Sequence, residues 1–488
     1  MSNDISSLHP VGVWKHFQRI ARIPRPSGGE ARIREFVVGF GASLGLETIV
    51  DDAGNVIIRK PAVAGMEDRV GIILQAHLDM VPQKIGGIEH DFENDPIEAV
   101  VDGEWVRASG TTLGADNGIG VAAILAVLES PAPRHGPLEA LFTANEENGM
   151  SGAFGLRPGL LGGGILLNLD SEDEGELFIG CAGGLDATVK FDFEGKPLPL
   201  GYNGFVLTVG GLSGGHSGMD IHLGRGNANK IMNRLLQHGR QCHGLLLSSV
   251  EGGSLRNAIP RESSARVAVP RAGGEAFLQE TAALAETINN ECSATDPELS
   301  IAIEKTVVPS RIVDESAFAG LLEAISACPD GVVRMSGEIP GLVETSSNLA
   351  VVRSADGFVT VECLLRSSAD SALQELGTRI GDLFRSAGAS VVLDGGYPGW
   401  KPNPESRMLG IMRRVYRDCF GKVPALKAVH AGLECGIIGA TYPKLDMVSF
   451  GPTIRHPHSP YEKVDIASVE KFHIFLEQVL ASAPTVLS

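Results

Sequence analysis

Paired cysteines are missing from this chain. The seven present, Cys181, Cys242, Cys292, Cys328, Cys363, Cys419 and Cys435, are scattered, odd in number and never spaced as CxxC. They read as reduced thiols packed in a core, which argues against a disulfide framework and a thiolate metal site. Basic charge is also scarce. Lys and Arg number 41 against 59 Asp and Glu, a formal net charge of −18. Nucleic acid is therefore not an expected partner, because its phosphates demand clustered cations. No apolar run reaches the roughly 18–20 residues that span a bilayer, and the first segment lacks the basic and apolar regions of a signal peptide. The expectation is a cytoplasmic protein with no membrane contact. SGGHSG lacks the spacing and the lysine of a phosphate loop, and residues 110–120 hold no GxGxxG.

What is present is a globular composition, 43% hydrophobic over 488 residues. That length exceeds one ordinary core, so two or three domains are expected. Residues 1–186 read as alternating strands and helices. VGIILQAHLD (70–79), LEALFTANEE (138–147) and GILLNLD (164–170) are apolar runs that each end in polar residues. Such runs suit buried strands, and in open α/β sheets sites gather beyond the carboxyl ends of strands. NGIGVAAILAVLES (117–130) has the composition of a helix, with Asp116 and Asn117 placed to cap it. From residue 187 the texture changes to alternating strands and amphipathic helices. It reads as two consecutive α+β units, each a small sheet with helices on one side. GGYPGWKPNP (395–404) is rich in Gly and Pro and reads as a linker. The texture of the first part then returns. The expected architecture is α/β, a catalytic domain with a mixed sheet flanked by helices. It is built from residues 1–186 and 400–488, with an α+β lid domain inserted at 187–399.

The acidic residues and histidines at the ends of the apolar runs carry the chemistry. His77 and Asp79 stand two apart at a strand end, on one side of it. A ligating imidazole needs its second nitrogen held, and Asp79 is near enough to do that. Asp116 lies in GTTLGADNGIG, where glycines permit a tight backbone beside a ligand. Glu146 and Glu147 are adjacent carboxylates, so one can bind metal while the other takes a proton from water. Asp170 directly follows its apolar run, whereas Glu172, Asp173, Glu174 and Glu176 read as a solvated acidic loop. His458 has a competitor in His456, and spacing does not separate the two. Together His77, Asp116, Glu146, Glu147, Asp170 and His458 suffice for two divalent ions and a spare base. Imidazole with carboxylate suits zinc, with cobalt or manganese as alternatives. His216, in the glycine-flanked LSGGHSGMD, could donate to an oxyanion, and Asn257 and Arg366 could hold a carboxylate.

Taken together, AHLDMVPQK, HDFENDPI, DGEWVRASGTTLGADNGIG, the Glu pair, GCAGG, GGHSGMDIHLGRGNA, RNAIP, VETSSNL, HAGLECG and SFGPTIRHPHSP resemble the M20 metallopeptidase family. The resemblance is in particular to its aminoacyl-histidine (Xaa-His) dipeptidase branch, and it covers nearly the whole chain. It implies a zinc-peptidase-like catalytic domain and a lid of one or two ferredoxin-like units. It implies that His77, Asp116 and Asp170 bind one metal and that Asp116, Glu147 and His458 bind the other. Asp116 bridges them, with its bond to Asn117 cis. Asp79 orients His77, and Glu146 is the general base and acid. His216 serves the oxyanion, Asn257 and Arg366 clamp the substrate carboxylate, and Glu434 and Gly436 line the pocket. The residue before the final Pro-His-Ser-Pro is small in the branch and is His456 here. The implied activity is hydrolysis of unblocked dipeptides, carnosine among them, by a homodimer. The competing readings are an M20 tripeptidase, an N-acyl amino acid deacylase, or a non-catalytic peptide-binding protein.

Overall fold

The computed structural model describes residues 4–132 and 134–486 and divides into two compact units. One comprises the chain up to Gly180 with Pro402–Ala428 and everything from Leu433 onward. The other comprises Cys181–Lys401 with Val429–Gly432. The expected cut at 186/187 falls inside a strand, Gly183–Asp192. The first residues of the supposed linker complete another strand, Ser390–Tyr397.

The first unit is built on an eight-stranded mixed sheet. Its order is Glu47–Val50, Val56–Lys60, Leu138–Thr143, Ile72–His77, Ile165–Asn168, Asp446–Ser449, Glu176–Cys181, Ala425–Val429. Ile72–His77 runs parallel to both of its neighbours, and Ile165–Asn168 runs parallel to Asp446–Ser449. Every residue of the strands at 72–77, 138–143 and 165–168 is buried. That burial is why they read as unbroken apolar runs and not as alternation. Helix Ala115–Glu129 is apolar on all sides because all but two of its residues are buried. Helix Val11–Ala21 packs beside it and buries Trp14 and Phe17. A four-stranded sheet, in the order Ile454–Arg455, Lys463–Asp465, Trp105–Ala108, Ala99–Asp102, carries the loop that holds His458.

The second unit contains a nine-stranded antiparallel sheet. Along it lie Ser300–Thr306, Tyr202–Gly210, Ser263–Pro270, Leu246–Gly252, Val343–Ala355, Phe358–Ser367, Gly183–Asp192 and Ser390–Tyr397, with Gly331–Met335 paired to Val343–Ala355. The order resolves into two βαββαβ units, and they are not consecutive. The chain lays down Gly183–Asp192 and then completes a whole unit from Tyr202 to Thr306, with helices Ala228–His243 and Gly274–Cys292. Only afterwards does it return through helix Glu315–Ala327 to finish the first. The two join edge to edge where Glu251 and Gly252 pair with Arg353 and Val352. The reading of two consecutive units is corrected on this point. Local hydrophobic periodicity reports each element, and nesting is a property of strand pairing alone.

Candidate active site

The parallel strands bring their carboxyl ends to one edge of the first unit's sheet. Registration pairs His77 with Thr143 and Gln75 with Asn168, so Asp170, two residues beyond Asn168, lies level with His77. Buried amides and hydroxyls form a floor beneath them. Gln75 Nε2 donates to Glu434 Oε2 at 2.7 Å and to Thr143 Oγ1 at 3.1 Å, and Thr143 Oγ1 donates to the same Glu434 oxygen at 2.7 Å. Asn168 Nδ2 donates to Gln75 Oε1, and Ser449 Oγ donates to Asn168 Oδ1. Gln75, Thr143, Asn168 and Ser449 thereby find partners inside the core.

Two groups of ligand atoms form above this floor, each within 4.8 Å: His77 with Asp116 and Asp170, and Asp116 with Glu147 and His458. Nε2 of His77 lies 3.2 Å from Asp116 Oδ1 and 3.4 Å from Asp170 Oδ1. Nε2 of His458 lies 3.2 Å from Asp116 Oδ2 and 3.0 Å from Glu147 Oε1. Asp116 therefore turns one oxygen to each group. Glu146 joins His77 and Glu147 in a further group. His456 enters none of them among the described residues, so the geometry separates two histidines that spacing left tied. Both His456 and His458 have positive φ, 56° and 58°, which is sparsely populated backbone for residues other than glycine.

Several backbone devices hold this arrangement. Asp79 accepts the N–H of Glu146 at 2.9 Å and of Glu147 at 3.1 Å, and its Oδ1 faces His77 Nδ1 at 3.3 Å. It thus ties the Glu pair to the histidine strand. Glu462 accepts four successive N–H groups, those of Leu113, Gly114, Ala115 and Asp116, at 2.8, 2.9, 2.7 and 3.2 Å. A carboxylate there satisfies the orphan donors at a helix start and suits its positive end. Gly114 has φ 68°, and a Cβ on it would meet Arg25 Nη2 at 2.6 Å. The buried Arg25 guanidinium donates to the carbonyls of Leu78, Asp79 and Gly114. The Asp116–Asn117 peptide is cis, and Asn117 Nδ2 donates to Leu169 O and to Asp170.

The electrostatics are those of crowded negative charge out of water. Burial pushes the Glu146 carboxyl well above its ordinary range and Asp170 up to about 6. Glu434 and Glu172 are pushed up to about 8, and Glu462 to about 7, again mainly by burial. For Asp116 burial acts upward too, but hydrogen bonds and charge from His458 and His77 outweigh it and hold it low. Hydrogen bonds to Asp116 and Glu147 raise His458 to about 11. The carboxylates around His77 likewise overcome its burial and raise it well above the usual imidazole value. Without a cation the cluster therefore draws protons onto its histidines. A divalent ion in either group would neutralise the same carboxylates and leave the imidazoles free to ligate, so the donor set fits such ions.

Glu172 corrects an expectation. It is half-buried, and burial with the charges of Asp116 and Asp170 raises its carboxyl. Its neighbours are half-buried and paired, Asp173 with Arg455 at 2.9 Å, Glu174 with Lys471 at 3.3 Å and Glu176 with Lys427 at 3.6 Å. Glu434 is fully buried, and its Oε1 has no hydrogen-bond partner among the described residues. Gly436 is buried in helix Glu434–Thr441.

His216, Asn257 and Arg366 belong to the second unit and converge there on Ser217. The Ser217 N–H donates to Asn257 O at 2.8 Å, and Arg366 Nε donates to Ser217 Oγ at 3.4 Å. Arg366 Nη1 also donates to Tyr397 OH at 2.9 Å. His216 Nδ1 accepts the N–H groups of Gly218 and Met219, at 3.1 and 3.0 Å. Its neutral ring must then carry its proton on Nε2. Burial lowers its pKa, which keeps it neutral and a donor. The same patch holds His430, whose Nε2 lies 2.7 Å from Ser346 Oγ. Ser217, Tyr397, His430, Glu462 and Arg25 were not singled out from the sequence. Glu462 carries no local signal, since its partners lie more than 340 positions away.

Strands that deliver acids and histidines to one sheet edge form the arrangement of a metal-dependent hydrolase. The chain belongs to peptidase family M20/M25/M40, whose pattern matches residues 73–482. It is 43% identical over 482 residues to the cytosol non-specific dipeptidase of Escherichia coli K12, covering 99% of each chain. Its structure is similar to that of aminoacylhistidine dipeptidase from Vibrio alginolyticus, with 45% identity, a TM-score of 0.94 and 99% of each chain covered. A tripeptidase from Staphylococcus aureus shares the fold at 16% identity, with a TM-score of 0.61 over 97% of this chain and 98% of its own. Among the described residues no helix is long and apolar enough to cross a membrane, and the cysteines form no disulfide.

Glu462→Gln replaces one acceptor oxygen by a donor facing backbone N–H groups. It should destabilise the protein by about 1.5–3 kcal/mol, as loss of hydrogen bonds to a charged group does. It should also weaken metal binding about 10–100-fold, as loss of a supporting partner does. Thermal denaturation and chelator competition measure the two effects.

His430 supplies a pH test. Burial lowers it to about 3 against 6.5 in the open chain. The unfolded state therefore binds the proton first, and the stability tied to neutral His430 is full above pH 6.5 and lost as pH falls towards 3. His430→Gln should lose stability less steeply over that window in denaturant titrations. An unchanged slope would rule out a contribution from His430.

Proposed function

We propose that this protein is a cytosolic dipeptidase that hydrolyses unblocked dipeptides, Xaa-His pairs among them, with two divalent metal ions. The observation that carries the reading is the pair of ligand groups sharing Asp116, with Glu146 beside them. The dipeptidase names of the Escherichia and Vibrio relatives support the substrate class.

His77, Asp116 and Asp170 would hold one ion, and Asp116, Glu147 and His458 the other. Zinc, or else cobalt or manganese, supplies Lewis acidity to water and to the scissile carbonyl when bound. Glu146 takes a proton from the attacking water and delivers it to the leaving amine nitrogen. Its buried position favours holding that proton in between. Asp79 fixes the orientation of His77 and the placement of the Glu pair. His216, with its proton on Nε2, is the donor assigned to the developing oxyanion. Asn257 and Arg366 are assigned to the substrate's terminal carboxylate, which Arg can meet with two parallel N–H donors. Glu434 and Gly436 are assigned to the pocket lining.

The test is hydrolysis of carnosine, Ala-His, Ala-Ala, Ala-Ala-Ala and an N-acetyl amino acid by chelated and metal-reconstituted protein. Metal-dependent cleavage confined to the free dipeptides is expected. Cleavage of the tripeptide or the acetyl substrate in their place would move the assignment to another branch of the family. In the same assay Glu146→Ala should retain its metal and lose about 10²–10⁴-fold in turnover, the usual worth of a general base. His216→Ala should also keep its metal and fall about 10²–10³-fold, as with the loss of one oxyanion donor. An unchanged rate in either variant would remove that residue from its role.

A further inference from the structure

A separate group of metal-binding side chains lies on two helices of the second unit. His238 and His243 occupy the end of helix Ala228–His243, and Glu280 projects from helix Gly274–Cys292. One donor atom of each falls within 4.8 Å of the other two. Glu280 Oε2 is 3.2 Å from His243 Nε2 and 3.8 Å from His238 Nε2. Both Nε2 atoms are buried, and neither has a hydrogen-bond partner among the described residues. The His243 side chain is only 6% exposed. A buried imidazole nitrogen that faces a carboxylate without a hydrogen bond to it is unfavourable unless something else, such as a cation between them, engages both.

The two rings are already fixed. That of His243 stands edge-on to Phe277 with centroids 5.6 Å apart, and that of His238 stands edge-on to His243 at the same separation. Cys242 Sγ lies 3.7 Å from His238 Nδ1, which occupies the far nitrogen of that ring and leaves Nε2 directed at Glu280. Bonds of 2.0–2.1 Å at tetrahedral angles place donor atoms about 3.3 Å apart. The 3.2 Å separation of His243 from Glu280 matches that spacing, as do those around His77 and His458, and the 3.8 Å separation of His238 from Glu280 is somewhat wider.

We propose that His238, His243 and Glu280 form a further binding site for a divalent transition metal of the zinc class. Two imidazoles and one carboxylate complete three positions of a tetrahedral ion. The half-exposed Glu280 leaves the fourth to solvent. The ion would cross-link the end of one helix to the middle of its neighbour. None of the three residues has a part in the hydrolytic reading above, so the site stands or falls independently of it.

The test is zinc stoichiometry of the full-length protein, dialysed against buffered free Zn²⁺ and measured by elemental analysis. Wild type, His243→Gln and Glu280→Gln are compared. Wild type should retain one more zinc per chain than either variant, and Glu280→Gln should hydrolyse dipeptides at the wild-type rate. Loading of the first unit is common to all three proteins, so the difference reports this site alone. Should His243→Gln misfold, Glu280→Gln decides the matter, because its side chain is half in solvent. Anomalous scattering at the zinc edge from crystals of the wild type should show a peak between the two helices. Equal zinc content in wild type and Glu280→Gln, or no such peak at saturating zinc, would overturn the proposal.

Discussion

Negative charge gathered around one aspartate, out of water, is the constraint on which the first unit depends. Asp116 shares its two oxygens between two groups of ligands, and Asp170, Glu146 and Glu147 crowd the same space. Like charges at such range cannot all persist without cations, and here the local cations are imidazoles held far above their usual pKa. The surrounding structure answers the same demand. Arg25 is buried beneath the loop, and Glu462 gathers the backbone N–H groups that aim Asp116. Asp79 binds the Glu pair through their amides and leaves both carboxylates turned to the site. An interior that concentrates charge in this way is unfavourable to the fold and useful to a bound ion.

The second unit solves a different problem. Two βαββαβ units, one nested in the other, share an edge and make a single sheet, which leaves fewer exposed strand edges than two separate sheets would. The polar patch around Ser217 grows from short strands and loops. Gly215–His216 pairs with Ala258–Ile259, Asn257 stands just before that strand, and Arg366 lies near the end of a long strand. Two backbone N–H groups decide the tautomer of His216. The chemistry a histidine can offer is thus set by backbone geometry a few residues away.

Much of this could be read from local pattern, for identifiable reasons. The three strands were legible because parallel strands buried on both faces are continuous apolar runs, although each ends two to four residues before the run does, at His77, Thr143 and Asn168. Helix Ala115–Glu129 was legible from its composition, although Asp116 and Asn117 within it have non-helical backbone. Within the acidic run after Asp170, Glu172 misled, because charge density in sequence resembles solvation. The carboxylates after it are paired with Arg455, Lys471 and Lys427 from the far end of the chain.

The sequence by itself determined which residue types end which strands, and hence that acids and histidines would collect at one sheet edge. Side-chain alternation and apolar runs are local quantities, and a strand's terminus is visible within ten residues. Only the tertiary structure placed Glu462 against four backbone amides, nested one α+β unit inside the other and set His238 and His243 against Glu280. Each of these outcomes is a distance between residues far apart in the chain. Such quantities are fixed by packing and strand registration, which no single stretch of sequence contains.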